Sequence, residues 1–464
     1  MIIRAGERAA RWLLEAWRGL SLDAKVVGAI AFGNWLLLFA NHTTVAATTD
    51  ETIWRLFPGL AGPLFLIAAG GVALSYPWRD RRQGVSFTPR GRWLHLALIV
   101  AVFVVVPTIA SIVLRETGKS YTYVHDGALM IEEASRKLLA GHNPYATDYL
   151  DTPLYYWPMV NNPALYHLTY FPFLFLVTIP FVWLFDHVGL FWDQRYLYLP
   201  AFVATLAVLP LLARRNEYRI ALVALVGLNP QLFPFVIEGR NDFFVLFFLF
   251  VGIALLQRER RALGSLAVAA AAAAKLHALF LLPFVVVYLI ATRRPRTIGQ
   301  ALRALTPMIP AAVFLLVTFA PFLVNDWNAF YDDVVQYNAG GAAWTYPISG
   351  MGFSALLLSL GAIQYRQADF PFAAIEIAVA TPIALYTMYQ LWRDPTIARM
   401  LWGYALTLLA FLFFGRYFQG NYLGYILAVA SPIPFLLREQ RPARKTRARR
   451  AAAAISPTAS AQAE

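Results

Sequence analysis

Long apolar runs alternate with short polar segments along most of the chain. A helix needs about 20 mostly apolar residues to cross a bilayer, so these runs predict about twelve membrane-spanning helices. One run has room for two short spans that break near Lys275. The runs are residues 26–40, 60–76, 94–114, 196–213, 220–237, 243–256, 262–290, 305–324, 372–391, 398–415 and 422–437. The pattern therefore predicts an all-α, polytopic membrane helix bundle.

Two further segments leave the number of spans open. Residues 166–185 are apolar but rich in proline and aromatic residues, and residues 352–361 form a short apolar run. If both segments crossed the membrane, the number of spans would be about fourteen. We favour about twelve spans, with these two segments as helices that lie at, or dip into, the outer interface.

Arginine-rich loops predict the orientation. Residues 79–92 carry five Arg and one Asp, residues 293–303 carry four Arg and no acid, and residues 438–450 carry seven basic residues and one Glu. Such loops stay in the cytoplasm. The twelve-span arrangement places all three loops on that side and predicts that both termini are cytoplasmic.

The two ends of the chain predict separate segments. Residues 1–25 are basic, carry apolar side chains on one helical stripe and lack the apolar stretch of a signal peptide, so they predict an interfacial helix. Residues 26–93 hold two spans that precede the main bundle of residues 94–437. Residues 438–464 form a basic tail with a low-complexity end, which predicts disorder.

Composition excludes several classes of protein. The chain of 464 residues is 59% hydrophobic and 14% charged, which does not fit one soluble core. The absence of cysteine excludes disulfides, thiolate metal sites and cysteine nucleophiles. A net charge of +13 would suggest nucleic acid in a soluble protein. Here most of the basic excess falls in cytoplasmic segments, so it indicates orientation and attraction to anionic membrane lipids, and no nucleic-acid partner is expected.

Two long loops lie outside in the predicted topology. They are residues 115–195 and residues 325–368, and both are dense in Tyr, Trp, Asn, Asp, Gly and Pro. The cytoplasmic loops are short and basic. Because functional residues concentrate on loops held by a rigid scaffold, we expect function on the outer face.

The first candidate cluster is His125-Asp126, just after the third predicted span. A carboxylate at the outer mouth of a helix bundle can act as a general base. Asp126 can equally cap the helix predicted for residues 127–140, and the two roles are compatible. That helix ends at a second cluster, in which Gly141 and Pro144 form an ordinary helix stop. Hydroxyl or phosphate contacts are then open to His142, Asn143 and Tyr145.

The third cluster, Glu238-Gly-Arg240-Asn241-Asp242, lies between two apolar runs. A hairpin this short cannot leave the membrane edge. The cluster is either a tight turn satisfied by water or a carboxylate paired with Arg240 that faces a polar cavity.

The fourth cluster places Lys275 and His277 inside an apolar stretch. Lys275 can extend its amine to the membrane surface, or it can bind a phosphate held at the membrane edge. Arg416, followed by Asn421, is a parallel case on the same predicted face.

Several signatures are absent from the sequence. It contains no Walker A loop, no Gly-x-Ser-x-Gly elbow and no His-Glu-x-x-His motif. The histidines lack regular metal-ligand spacing. We therefore expect no cofactor, no metal site and no soluble nucleotide donor.

These clusters occur in an order that resembles the polytopic glycosyltransferases of GT-C type. The closest resemblance is to glycosyltransferase family 87, also described as domain of unknown function 2029, whose members include mannosyltransferases that use polyprenyl-phosphate mannose. The resemblance covers roughly residues 94–437 and rests on short motifs taken together. They are His125-Asp126, the segments 138–145 and 162–166, Glu238–Asp242 with the span that follows, the alanine-rich run into Lys275-Leu-His277, the segment 346–352 and the segment 415–422.

The resemblance implies roles for individual residues. Asp126 would be the catalytic base that deprotonates an acceptor hydroxyl, with inversion at the sugar. Lys275, Arg240 or Arg416 would bind the lipid phosphate. A second acidic residue would be Glu238 or Asp242. The partners implied are a polyprenyl-phosphate sugar donor and a lipid or glycan acceptor, at the outer face of a bacterial cytoplasmic membrane.

Two other classes of function stay open. A transporter or lipid-linked-sugar flippase would also be polytopic, but such proteins usually show paired repeats and mid-membrane charges. A structural membrane subunit would not require so many titratable groups at one membrane edge. We therefore expect a membrane glycosyltransferase that transfers a sugar, with mannose as the first candidate.

Overall fold

The computed structural model describes residues 15, 17–41, 43–46, 51–52, 57, 59–82, 87–159 and 161–439. The interfacial helix predicted for residues 1–25 and the tail predicted for residues 438–464 lie mostly outside the described residues. The longer helices are α1 Leu22–Asn41, α2 Ala61–Arg81, α3 Pro89–Thr117, α4 Asp126–Leu139, α5 Pro172–Val188, α6 Arg195–Val208, α7 Asn216–Gly227, α8 Phe233–Glu238, α9 Asp242–Gln257, α10 Arg261–Ala274, α11 Leu276–Arg293, α12 Ile298–Asn325, α13 Trp327–Tyr331, α14 Phe353–Ser359, α15 Phe372–Arg393, α16 Ile397–Phe414 and α17 Gly420–Ala430.

Strands are few among the described residues. An antiparallel pair joins β1 Thr43–Ala46 to β2 Glu51–Thr52. A parallel pair joins β3 Ser349–Gly350 to β4 Tyr417–Phe418, and it fastens the segment before α14 to the turn between α16 and α17. Short helical turns fill the connections at Pro153–Tyr156, Pro163–Leu165, Leu209–Leu212, Asp332–Gln336 and Tyr337–Ala339.

The helical, multi-pass character predicted from the sequence is confirmed. Nine helices in the described part are long and apolar enough to cross a membrane, namely α1, α2, α3, α6 with its extension to Leu212, α11, α12, α15, α16 and α17 with its extension to Glu439. Three shorter apolar helices, α5, α9 and α10, accompany them. The predicted number of about twelve spans is therefore not established.

Three predicted segments differ from the structure or are refined by it. Residues 220–237 are not one span, because the chain leaves helix α7 at Gly227 and re-enters helix only at α8. Pro230 lies in that break, and proline disfavours helix in the residue before it. Residues 352–361 hold only the seven-residue helix α14, which is too short to cross a bilayer. Residues 166–185 hold most of α5, a 17-residue apolar helix.

The break predicted near Lys275 is present. Lys275 has extended backbone angles, φ −155° and ψ 136°, between α10 and α11. The alanine-rich α10 is central to the bundle, since Ala269–Ala274 are all buried. Small side chains let neighbouring helices approach closely, which agrees with the close packing expected from this run.

The two helices before the main bundle are attached to it by polar contacts. Arg92 at the start of α3 forms ion pairs with Asp23 on α1, at 2.8 Å, and with Asp80 on α2. The amide of Asn34 on α1 donates to the carbonyl of Leu228 at 2.7 Å. Helices α1 and α2 therefore pack as part of the bundle.

Opposite ends of the bundle carry different residues. At one end, which we call the arginine end, α2 finishes at Arg81, α11 at Arg293 and α15 at Arg393. At the other end, α11 begins directly after Lys275, and α15 begins at Phe372, four residues before Glu376. Lys275 and Glu376 both line a cavity. A cavity lies there, and we call it the cavity end.

Candidate functional site

The cavity has a volume of about 350 Å³, within the range of small-ligand pockets. Its walls come from the start of α4, the turn between α8 and α9, the break at Lys275, the segments 334–346 and 373–377, and the turn between α16 and α17. Eight residues predicted from the sequence line it: His125, Asp126, Arg240, Asn241, Lys275, His277, Arg416 and Asn421. Segments far apart in the chain thus meet at one site.

Asp126 is the first residue of α4, where the helix dipole favours a negative charge. His125 is the N-cap, and its Nδ1 lies 3.0 Å from the backbone nitrogen of Gly127 and 2.7 Å from Oδ1 of Asp126. The backbone N–H of His125 donates to the carbonyl of Glu238 at 2.8 Å. The predicted cap is therefore provided by His125, and Asp126 faces the cavity.

The charge of Asp126 is set by its neighbours. Burial raises the pKa of this carboxyl, but the neighbouring His125 imidazole, the charge of Arg240 and the Gly127 backbone N–H together more than offset it. The pKa of Asp126 therefore lies below its ordinary value. The carboxyl is ionised at neutral pH, which is the form that can accept a proton.

A buried ion network anchors α4 behind this carboxylate. Arg115 on α3 pairs with Glu132 on α4 and with Asp193, each at 2.7 Å. Asp193 also pairs with Arg195 at 2.7 Å, and Arg195 donates to the carbonyl of Ile237 at 2.8 Å. All four charged side chains are at most 2% exposed. The network links α3, α4, α6 and α8 next to the cavity.

Arg240 projects from the turn between α8 and α9. Its Nε donates to Glu238 at 2.8 Å, and its Nη1 donates to Oε1 of Gln419 at 3.0 Å. The guanidinium also lies over the ring of Phe235, 4.3 Å from the centroid. Glu238 does not line the cavity, so it holds Arg240 in place from behind.

Lys275 and Asp242 form a second pair of the same design. The amine of Lys275 donates to Oδ1 of Asp242 at 2.7 Å, and Nδ2 of Asn421 donates to Oδ2 at 3.2 Å. Asp242 is buried and lies outside the cavity lining, whereas Lys275 and Asn421 line it. Glu238 and Asp242 were predicted as possible second catalytic groups. Each is instead paired with a cation that lines the cavity, Glu238 with Arg240 and Asp242 with Lys275.

Two polar atoms in the cavity wall have no hydrogen-bond partner. They are Nε2 of His277 and Oδ1 of Asn241, both buried. A buried polar atom without a partner is costly. Both residues line the cavity, so a polar ligand that reached these atoms would remove that cost.

Arg416 lines the cavity but is engaged by backbone. Its guanidinium donates to the carbonyls of Tyr346 at 2.7 Å, Ala368 at 3.0 Å and Arg366 at 3.2 Å. The side chain is 1% exposed. Arg416 therefore holds the segment 346–368 next to the cavity-lining Tyr346, and its donors are less available to a phosphate than the sequence suggested.

Three predicted residues lie away from the cavity. His142 is exposed on the surface. Asn143 donates to Asn325 at 2.8 Å, and the hydroxyl of Tyr145 donates to the carbonyl of Tyr170 at 2.8 Å. These contacts fix the loop after α4 against the end of α12. The structure therefore does not bring His142, Asn143 and Tyr145 to the site with the others.

The sequence did not indicate several other lining residues. Five tyrosines surround the cavity: Tyr170, Tyr337, Tyr346, Tyr417 and Tyr422. Glu376 on α15 adds a second carboxylate, and Gly415 leaves room for it, since a Cβ there would collide with its Oε1. The signals in the sequence were indirect: the tyrosine-rich loop 325–368 holds Tyr337 and Tyr346, and the segments 346–352 and 415–422 that carry the resemblance hold Tyr346, Tyr417 and Tyr422.

One group of described residues has the composition of a metal site. His167, Asp332 and Asp333 place one ligand atom each within 4.8 Å of one another. Nδ1 of His167 lies 2.8 Å from Oδ1 of Asp333, and Nε2 bonds the carbonyl of Ala343. Both ring nitrogens are thus engaged, and the group ties together residues 163–168 and 332–345.

Comparisons with protein-family models, with curated proteins and with solved structures found no match to this chain. The function is therefore argued from the geometry of the cavity.

Proposed function

We propose that this protein is an integral-membrane glycosyltransferase that moves a sugar, with mannose as first candidate, from a polyprenyl-phosphate donor to a lipid or glycan acceptor. One observation carries the proposal: a single cavity at one end of an apolar helix bundle holds an ionised carboxylate, Asp126, together with the cations Arg240 and Lys275. Opposite charges on one cavity wall suit a reaction that takes up a proton and releases a phosphate.

In the proposed reaction, Asp126 takes the proton of an acceptor hydroxyl. The acceptor oxygen forms a bond to the anomeric carbon, and the bond from that carbon to the phosphate oxygen breaks. The electron pair of the broken bond stays on the lipid phosphate. Attack from the side opposite to the leaving group inverts the configuration at the anomeric carbon.

Arg240 and Lys275 are proposed to bind the donor phosphate. Both side chains face the cavity while Glu238 and Asp242 hold them from behind, so their positions are fixed before substrate arrives. Fixed positive charge lowers the energy of the transition state, in which negative charge grows on the leaving phosphate.

The remaining lining fits a sugar attached to a lipid. Aromatic faces such as those of Tyr346 and Tyr417 can pack against the C–H face of a sugar ring, and the free polar atoms of Asn241 and His277 can meet its hydroxyls. Apolar residues, among them Ala373 and Ile377 on the poorly buried helix α15, offer a path for a polyprenyl chain.

Orientation and location are part of the proposal. The arginine end would face the cytoplasm and the cavity end the outside, in the cytoplasmic membrane of a bacterium. A lipid-linked donor suits this side, because cytoplasmic nucleotides do not reach it.

The test is a transfer assay in nanodiscs. Purified protein receives polyprenyl-phosphate mannose radiolabelled in the sugar, together with a membrane lipid extract that supplies acceptors. We expect label to move from the donor to a new product, whereas empty nanodiscs leave the donor unchanged. If no polyprenyl-phosphate sugar gives transfer, the proposal is wrong. In proteoliposomes, movement of intact donor across the bilayer without a new product would indicate a flippase instead.

A further inference from the structure

A pair of aromatic rings stacks on the surface beside the cavity. The rings of Tyr166 and Trp344 have centroids 5.3 Å apart and planes inclined by 18°. Trp344 is 57% exposed and Tyr166 is 36% exposed. Large aromatic side chains are usually well buried, so a flat exposed pair of this kind is a candidate binding surface.

The backbone presents Trp344 at some cost. Its φ is +59°, in the left-handed region that bulky residues rarely adopt. Contacts on both sides hold this conformation: the carbonyl of Ala343 meets Nε2 of His167, and the hydroxyl of Thr345 donates to the carbonyl of Tyr337 at 2.8 Å. Strained positions of this kind persist where the surroundings fix them, and they cluster at ligand sites.

The segments that carry the two rings are joined beneath them. Asp333 accepts from the backbone N–H of Leu168 at 2.8 Å and contacts Nδ1 of His167 at 2.8 Å, and these side chains are buried. The stacked pair is therefore ordered before a ligand arrives, which reduces the entropy lost on binding.

A carboxylate lies close to His167, the residue that follows Tyr166. Oδ2 of Asp332 is 3.6 Å from Nδ1 of His167, and the side chain of Asp332 is 44% exposed. A flat aromatic face beside a carboxylate matches a sugar ring, whose C–H face packs on the aromatic and whose hydroxyls donate to the acid. An exposed acid is less suited to the phosphate-rich surface of a membrane.

Residues close to the pair in the chain line the cavity. Ala164 and Thr169 flank Tyr166 in sequence, Tyr346 follows Trp344 closely, and all three line the cavity. We propose that Tyr166 and Trp344 form a saccharide subsite, an inference that rests on the proposed function. It stacks a sugar ring of the glycan acceptor near the acceptor hydroxyl that enters the cavity, and Asp332 binds the hydroxyls of that ring.

Binding of soluble oligosaccharides to the full chain in nanodiscs tests the subsite. The probes are mannotetraose, maltotetraose and chitotetraose, and affinity is measured by calorimetry without donor. We expect W344A to weaken binding of the probe preferred by the wild type about tenfold, as loss of one stacked aromatic predicts. W344F should stay within about threefold, because the aromatic face is kept.

Trp327 supplies the matched control. It is also 57% exposed and stacks on Tyr331, with centroids 5.9 Å apart, but the nearest cavity-lining residue in the chain, Val334, is seven residues from Trp327, whereas Tyr346 is two residues from Trp344. W327A should bind the probe as the wild type does, and thermal unfolding checks that each variant is folded.

Each outcome bears on the subsite separately from the reaction. Unchanged binding in W344A, an equal loss in W327A, or no binding of any probe by the wild type would overturn the subsite. Lower thermal stability of W344A with unchanged probe binding would show a membrane-anchoring tryptophan instead, which also overturns it. If probe binding depends on Trp344 but no sugar transfer occurs, the subsite stands and the proposed reaction fails. If sugar transfer occurs but probe binding does not depend on Trp344, the proposed reaction stands and the subsite fails.

Discussion

At the scale of single residues, the site depends on the electrostatic interaction between the carboxylate of Asp126 and the guanidinium of Arg240. Asp126 is ionised because His125 and Arg240 lower its pKa against the effect of burial. Arg240 in turn is held by Glu238 at 2.8 Å. The proposed base and the proposed phosphate ligand are thus electrostatically linked, and the link can be measured.

Replacing Arg240 by Gln should move the acid limb of the transfer rate to higher pH. The guanidinium lowers the pKa of Asp126, so its removal raises that pKa, and Asp126 then becomes protonated and inactive at a higher pH. The measurement is the pH dependence of kcat/KM for the residual transfer in each protein.

R399Q is the control for this shift. Arg399 is also paired with an acid, Asp394, at 2.9 Å, but it lies at the arginine end. Its acid limb should coincide with that of the wild type. An unshifted limb in R240Q would mean that Arg240 does not act on the base.

Most charged residues of the site were predictable from the sequence, whereas Glu376 and the aromatic wall were not. Asp126, Arg240 and Lys275 interrupt apolar runs, where an ionisable group is costly unless it has a polar site to face. Tyr337 and Tyr417 carry no such penalty, and only the folding of distant segments brings them together. Arg416 shows the converse, since its charge was evident but its three carbonyl partners were not.

At the scale of helices and loops, the ion network behind α4 is the main device that positions Asp126. Arg115 and Arg195 bound the predicted loop 115–195, and Asp193 joins the two arginines. Residues 78 positions apart are paired here, so no local sequence pattern could have indicated the network.

Replacing Arg195 by Met should destabilise the protein by about 3–5 kcal/mol, because removing one partner of a buried ion pair leaves the charge of the other partner uncompensated. Unfolding in detergent or nanodiscs, followed by loss of tertiary signal, measures the change. The fold near the cavity should be lost first, since Arg195 also donates to the carbonyl of Ile237 beside Glu238.

R136M is the matched control for this loss. Arg136 pairs with Glu133 and Asp186, but its side chain is 34% exposed. The pair with Asp186 is exposed and contributes about 0–1 kcal/mol, while Glu133 is 8% exposed, so this variant should lose some stability but clearly less than R195M loses. Equal losses in R195M and R136M would contradict the positioning role of the network.

Helix boundaries were predictable where apolar runs are uninterrupted and less so where proline intervenes. The spans at α1, α2, α3 and α15 lie close to their predicted positions. The run 220–237 looked continuous in hydropathy, but the chain breaks between α7 and α8, where the Asn229 amide donates to the carbonyl of Gly424 at 3.0 Å. That contact crosses 195 positions of sequence.

At the scale of the whole molecule, the asymmetry between the arginine end and the cavity end predicts which side of the membrane the site faces. A reporter fused after Ala213 should be cytoplasmic, because Arg214 and Arg215 follow it at the arginine end. A reporter fused after Phe185 should be outside. Paired alkaline phosphatase and fluorescent-protein fusions measure both positions, and the reverse pattern would put the cavity on the cytoplasmic side.

The helical, multi-pass architecture followed from hydropathy alone, because every apolar run must satisfy its backbone groups within a helix. The number of spans did not, since α5, α9 and α10 are shorter than a standard crossing. The GT-C type and the reaction are proposals that rest on the cavity and on the resemblance of its motifs.

The most direct test of the account is the rate of sugar transfer by D126N, with donor affinity measured on the same protein. Transfer should fall about 10²–10⁴-fold, since the proposed base is lost, while affinity for the polyprenyl-phosphate sugar stays near that of the wild type. D148N, at an exposed aspartate of the same loop, should transfer normally. Transfer by D126N at the wild-type rate would contradict the central role assigned to Asp126.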